Sequence, residues 1–299
     1  MNDTESNAAA STSDGKLLGV TQKRLERFVS LCAKVVVNDH PDLIHDTRVA
    51  SRRLQEAFRV LFPKPRSNKS RKLVRTLREV RQALGDCRNL DVTIGLIDKK
   101  LSGVTAPRIH ESWDLIKNYL AEKRARDIPR AREELIRHDI MQFVTRTQTL
   151  LQSGRLQTEP EELLQRSLDE SFAAWNEALR ETLESPEVEQ VHALRIAGKR
   201  LRYRVELLKD LGRRSTKPQI KALKRLQDEL GDWHDRHVLL QFVAEFIGRP
   251  DFLVSHPDAG RVLLGEMERE RRRNESAVTT VLKTAEKTRE AWAPASEQT

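Results

Sequence analysis

Two stretches of this 299-residue chain, IHDTRVASRRLQEAFRVLF from Ile44 and VHALRIAGKRLRYRVELLK from Val191, align across 147 positions. The register pairs His45 with His192, Arg48 with Arg195, Val49 with Ile196, Ala50 with Ala197, Arg52 with Lys199, Arg53 with Arg200 and Leu54 with Leu201. Farther along, LGDCRNLDV at 84–92 pairs with LGDWHDRHV at 230–238, an offset of 146. Two distant matches at nearly one offset indicate an internal duplication, so the two halves must repeat one architecture. Between them Arg71, Arg75 and Arg78 pair with Lys217, Lys221 and Lys224. Charge and spacing are shared there, while residue type is not.

The repeated unit reads as helix, turn, helix. Leu25, Phe28, Val29, Cys32 and Val36 make one apolar face, and NDHPD at 38–42 breaks it. A helix then starts near Asp42 and uses Ala50, Leu54, Ala57, Phe58 and Leu61 until FPKPRSN at 62–68 stops it. Its partner at about 69–84 buries Leu73, Leu77, Val80 and Leu84, and Gly85 stands where a left-handed residue ends a helix. Gly231 takes that role in the second half, between helices near 219–230 and 235–247, and Asp86 and Asp232 read as turn or cap residues. Residues 107–150 form a long charged helix or pair with Pro129 inside, QSGRLQTEP marks the boundary between halves, and 259–292 is a long charged helix. With one third of residues charged, 5% aromatic, and only 12 Gly and 11 Pro, the chain is expected to be all-α. Residues 1–17, polar and without apolar periodicity, are expected to be a disordered tail before one domain at 18–292, built of repeats at about 18–152 and 160–292.

The basic residues are concentrated. Segments 45–62, 69–88, 192–209 and 217–226 hold 21 of the 54 cations and 5 of the 45 acids, leaving the rest of the chain net negative. At about 100° per residue, His45, Arg48 and Arg52 lie within about 60° of one another and face away from Ala50, Leu54 and Leu61. His192, Arg195, Lys199 and Arg202 form the matching stripe, and Arg71, Arg75 and Arg78 share a face opposite Leu73, Leu77 and Val80. A solvated helix face normally mixes signs, because like charges at helical spacing cost a few tenths of a kcal/mol per pair. Two halves packed about a pseudo-twofold axis would bring four such stripes to one channel or saddle, suited to a long repeating anion.

The paired motifs IHDTRVASRRL with LGDCRNLDV, then VHALRIAGKRLRY with LQDELGDWHD, resemble the CHAD family, the conserved histidine α-helical domain. The resemblance covers about residues 18–292. It implies a helical bundle of two pseudo-symmetric four-helix halves whose basic central surface binds inorganic polyphosphate, in several members on polyphosphate granules. The family's histidine and basic positions fall here on His45, Arg48, Arg52 and Arg53, and on His192, Arg195, Lys199, Arg200 and Arg202. The family's usual Arg-Asp after Leu-Gly is replaced by Arg88 and Asn89 in the first half and by His234 and Asp235 in the second. A role for that turn is thereby left open.

Polyphosphate offers repeated charge and no bases, so its recognition needs closely spaced cations: Arg as a fork, Lys as a point charge, His as a hydrogen-bond donor. Protonation of His45 and His192 would raise affinity below pH 6.5, the unperturbed histidine value. No cofactor, metal or catalytic constellation is expected. Asp232, His234, Asp235 and His237 have metal-ligating residue types, but their counterparts Asp86, Arg88, Asn89 and Asp91 could not build the same site. Nucleic acid is the rival partner, non-specific, because Tyr203 is the only aromatic between 192 and 209 and stacking platforms are missing. Cys32 and Cys87 are too few for a disulfide framework and are expected reduced in the core. With no apolar run long enough for a membrane span and no apolar leader, the expected location is the cytoplasm, on polyphosphate granules with their associated proteins.

Overall fold

The computed structural model describes residues 2–62, 67–153, 160–212 and 217–292. Among them every regular element is helical: α1 (Asn2–Val37), α2 (Pro41–Leu61), α3 (Asn68–Ala83), α4 (Gly85–Leu101), α5 (Pro107–Arg137), α6 (Ile140–Ser153), α7 (Pro160–Glu184), α8 (Val188–Asp210), α9 (Lys217–Ile247), α10 (Pro250–Ser255) and α11 (Pro257–Glu290). The expected all-α bundle is what the chain forms. Local chemistry sets the starts: Pro41 opens α2 while His40 Nδ1 accepts from the Asp42 amide, and the Ser67 hydroxyl accepts from the Ser70 amide to cap α3. Parts of the breaks expected at 62–68 and 152–160 lie outside the described residues.

Three expectations are corrected. α1 carries a helix through residues expected to be a disordered tail, and Leu17 is fully buried against Val60, Leu61, Leu163, Leu207 and Leu208. Ala8–Ala10 favour helix intrinsically, and the Leu17 anchor supplies the packing that the absence of a repeating apolar pattern concealed. Gly231 ends nothing: α9 runs through it, because Leu223, Leu226, Leu230 and Trp233 pack in one core and Leu239, Val243 and Phe246 in another, offsetting the cost of a helical glycine. Gly85 is the first residue of α4 rather than a left-handed terminator. Gly212 is the described residue with positive φ, and the break between α3 and α4 is confined to Leu84. What Gly85 provides is space, since a Cβ there would lie 3.4 Å from Arg48 Nη1.

The repeats pack alike: α1 on α2 as α7 on α8, and α4 on α5 as α9 on α11. The segment α3–α4 corresponds to the unbroken α9. Across the middle, α1 meets α7, α2 meets α8, α4 meets α9 and α5 meets α11, so these four pairs of repeat partners touch, the contact pattern of a twofold arrangement. Each half has its own core, around Phe28, Leu54, Phe58 and Leu77 in the first and Trp175, Leu194, Leu201 and Leu226 in the second. Two further cores are shared between the halves. One gathers Leu90, Ile97, Trp113, Phe246 and Leu263, and the other is the Leu17 cluster. Cys32 and Cys87 are free and buried in the first core, where burial pushes their thiols up to about 12 and about 11.

Where α2 crosses α8, Arg204 donates through Nη1 to the Glu56 carbonyl at 2.9 Å and through Nη2 to Glu56 Oε2 at 3.0 Å, with both side chains about 5% exposed or less. Arg24 adds a second tie, donating to the Arg53 carbonyl at 2.8 Å and to Asp210 Oδ2 at 2.7 Å. Removing one member of the buried pair strands the other charge. Glu56→Ala is therefore expected to cost about 3–5 kcal/mol of stability in urea denaturation, and Glu56→Met with Arg204→Met to recover most of it.

Candidate polyanion-binding site

The helix crossing places the two basic stripes against each other. His45, Arg48 and Arg52 project from α2, and His192, Arg195, Lys199 and Arg202 from α8, and Arg52 is an electrostatic neighbour of both Arg195 and Lys199. Arg81 enters from the last turn of α3, donating through Nη1 to Gln55 Oε1 at 2.9 Å, and Arg48 donates to the Arg81 carbonyl. Arg88 enters from the first turn of α4 and acts on both His45 and Arg48. His234 comes from α9, with its ring centroid 5.4 Å from that of His192. Seven cations from both halves thus converge: Arg48, Arg52, Arg81, Arg88, Arg195, Lys199 and Arg202. Asp235 is the carboxylate that faces cations of both halves, Arg195 and Lys199 on one side and Arg88 on the other.

The electrostatic cost of this convergence is visible in proton affinities. Burial, reinforced by Arg195 and Arg52, brings Lys199 down to about 6 from an ordinary 10.5. Burial and the neighbouring guanidiniums lower Arg48 to about 9, Arg81 to about 10 and Arg195 to about 10. Burial and Arg195 take His234 down to about 3. His45 is lowered by desolvation and Arg88, and His192 by desolvation and Arg195. Burial pushes the Asp235 carboxyl up, against the pull of Arg195. Two polar atoms also lack a partner within the protein, since Arg195 Nε and His234 Nδ1 are buried without a hydrogen bond. Buried polar groups are normally satisfied, so the orphaned atoms show that the protein itself leaves part of this cluster unmatched, with Asp235 beside Arg195 and Lys199 and Glu206 3.4 Å from Arg202 as its nearby carboxylates.

Of the residues singled out from sequence, His45, Arg48, Arg52, His192, Arg195, Lys199 and Arg202 come together. The others do not join them. Arg53 is tied to Glu206, donating to its Oε2 at 3.1 Å, while the other oxygen of the same carboxylate lies 3.4 Å from Arg202 Nε. Arg200 points across α8 from Arg195, toward Arg59. Arg71, Arg75 and Arg78 lie exposed on α3, with Arg71 bonded to Asn68 and Arg75 3.5 Å from Glu79. Lys217, Lys221 and Lys224 are exposed on the first turns of α9. The expectation of four converging stripes is corrected for α3 and α9, because the apolar faces of these helices dock so that only the ends nearest Leu84 and Gly231 reach the centre. Sequence reasoning missed Arg81, and it left open Arg88, His234 and Asp235, which sit in the cluster. The signal for Arg88 and His234 was their matched position, three residues past the paired glycines.

Asp232, His234, Asp235 and His237 do not assemble a metal site: no group of three such side chains with that capability occurs among the described residues. His237 stacks on Trp233 and lies 3.2 Å from Gln241. No described helix is long and apolar enough to cross a membrane.

Fold and site together define an internally repeated helical bundle with a desolvated cationic centre. The chain belongs to the CHAD domain family, which it matches over residues 20–244. A crystal structure of the CHAD domain from the plant Ricinus communis is similar to it with a TM-score of 0.70 and 19% identity, covering 91% of each chain. No curated protein matches the sequence significantly.

Lys199 is an internal test of the electrostatics. In the unfolded chain it binds its proton up to about pH 10.5 and in the folded one only up to about 6, so its burial penalty is full below pH 6 and fades as pH rises to 10.5. Lys199→Met should stabilise the free protein by about 1–4 kcal/mol near pH 6, with the gain shrinking toward pH 10, read from melting curves across that range.

Proposed function

We propose that this protein binds inorganic polyphosphate at the central cluster, as a non-catalytic binding protein located in the cytoplasm on polyphosphate granules. The observation that carries this reading is the desolvated convergence of seven cations from both halves, with buried polar atoms unpartnered. The CHAD family resemblance supplies the identity of the anion. A linear polyphosphate brings one charge per phosphate past each guanidinium in turn, and the forked Arg donors match its oxygens. Base stacking has no counterpart here: Tyr203 is buried beneath Arg202, whose guanidinium lies 5.1 Å from the ring centroid. Nucleic acid is therefore a competitor for charge alone.

The test is direct binding of long-chain polyphosphate at two salt concentrations, with duplex DNA or RNA at equal phosphate as competitor. Arg195→Glu with Lys199→Glu and Arg202→Glu should abolish binding, and nucleic acid should not displace the ligand at moderate salt. Equal competition by nucleic acid, or an unaffected triple variant, would sink the reading.

The bound anion also changes the expected pH dependence. His45 and His192 are held below the ordinary histidine value and His234 is down at about 3, so Lys199, at about 6, becomes the principal titrating group above pH 6. A polyanion raises the Lys199 proton affinity, so binding takes up a proton as pH rises above about 6. Affinity should fall above that point by up to about tenfold per pH unit. Lys199→Met should flatten the profile, as read by calorimetry in buffers of different ionisation enthalpy.

A further inference from the structure

Arg200 belongs to the family's basic motif but not to the central cluster, and its surroundings form a second basic site. It lines a cavity of about 540 Å³ between α2, α7 and α8, together with Arg59, Arg166 and Arg204, over a floor of Val60, Leu163 and Ala197. Glu170 is the single acid on its wall. Beneath it, Glu56 is already held by Arg204 and by Arg59, whose Nη1 lies 2.6 Å from Glu56 Oε1. Arg204 is buried with its Nε unpartnered. Arg166 reaches Glu162 on its own helix at 3.0 Å. The Arg200 guanidinium makes no ion pair among the described residues, and its charged neighbours, both from the other half, are Arg59 and, opposing it, Glu56.

The cavity connects to the centre through an unbroken succession of cations. Arg52 is the electrostatic neighbour of Arg195 and Lys199, Arg81 of Arg52 and Arg48, and Arg59 of both Arg81 and Arg200. On α2, Arg59 continues the stripe of Arg48 and Arg52, two turns farther along. α8 contributes Arg195 and Lys199 on one face and Arg200 and Arg204 on the opposite one, so its cations serve both places.

We propose that the Arg59, Arg166 and Arg200 pocket is a distal phosphate subsite, continuous with the central cluster by way of Arg81 and Arg59. A long linear polyphosphate then occupies both, and a short one occupies the centre alone. This inference rests on the polyphosphate reading of the centre and adds chain-length selectivity to it.

The experiment compares calorimetric affinities for tripolyphosphate and long-chain polyphosphate in wild type, Arg166→Glu with Arg200→Glu, and Arg195→Glu. The pocket double variant should lower the long-to-short affinity ratio about tenfold, while Arg195→Glu lowers both affinities and leaves the ratio near wild type. The slope of log affinity against log salt for the long chain should also become shallower by about one to two in the pocket variant, a readout that holds where tripolyphosphate binds too weakly to measure. Both substituted side chains are exposed, and thermal melting checks the fold. Arg166→Glu alone should give a smaller drop in the same direction. A ratio and a salt slope equal to wild type would overturn the distal subsite while leaving the centre intact. A wild type that binds neither ligand would overturn the polyphosphate reading, and this inference with it.

Discussion

The buried ion pair between Glu56 and Arg204 is the constraint on which the basic centre depends. It fixes the crossing of α2 and α8, and that crossing puts Arg52 beside Arg195 and Lys199. Left to their own electrostatics, these like charges would separate the two helices. The opposing forces are this pair, the Arg24 link to Arg53 and Asp210, and the two hydrophobic cores shared between the halves. A desolvated pair contributes modest net stability but imposes a definite geometry, because breaking it leaves a buried charge unpaired. Here the geometry is the useful product: a cationic cluster held closed by the protein's own contacts.

The halves repeat one architecture but do not make two equal sites. Arg88 stands opposite His234 in the repeat register, Asn89 opposite Asp235 and Arg81 opposite Gln227. The first half therefore contributes arginines at the break between α3 and α4, and the second contributes a histidine and a carboxylate along an unbroken α9. Because Asp235 faces Arg88 as well as Arg195 and Lys199, the cluster is one shared site with its carboxylate on one side. Gly85 fits the same asymmetry, since it leaves room for the Arg48 guanidinium that reaches across to Arg81.

Much of this was legible in the sequence, and the misses are instructive. The helices around Leu54, Leu73 and Leu201 follow from apolar spacing, and the stripe of Arg195, Lys199 and Arg202 follows from the same arithmetic on the opposite face. Glycine misled twice. Gly85 and Gly231 sit at matched positions, yet one opens a helix and the other lies inside one, because flanking tertiary contacts rather than the glycine decide whether the chain continues. The α3 stripe misled differently. Arg71, Arg75 and Arg78 do share a face, but spacing fixes only which residues lie together on a helix, not which neighbour that face meets.

By itself the sequence determined the helical class, the duplication, the long charged helix at 259–292, and the concentration of positive charge on α2 and α8. These are local or periodic properties, set by side-chain spacing along one helix and by repetition along the chain. Only the tertiary structure decided that Arg81, Arg88 and His234 join the centre while Arg53 and Arg200 leave it, and that Lys199 loses much of its proton affinity. Those outcomes depend on the angle at which helices cross and on how much water the crossing removes, and both are set by contacts between different helices, from Arg81 with Gln55, 26 positions apart, to Arg204 with Glu56, 148 apart.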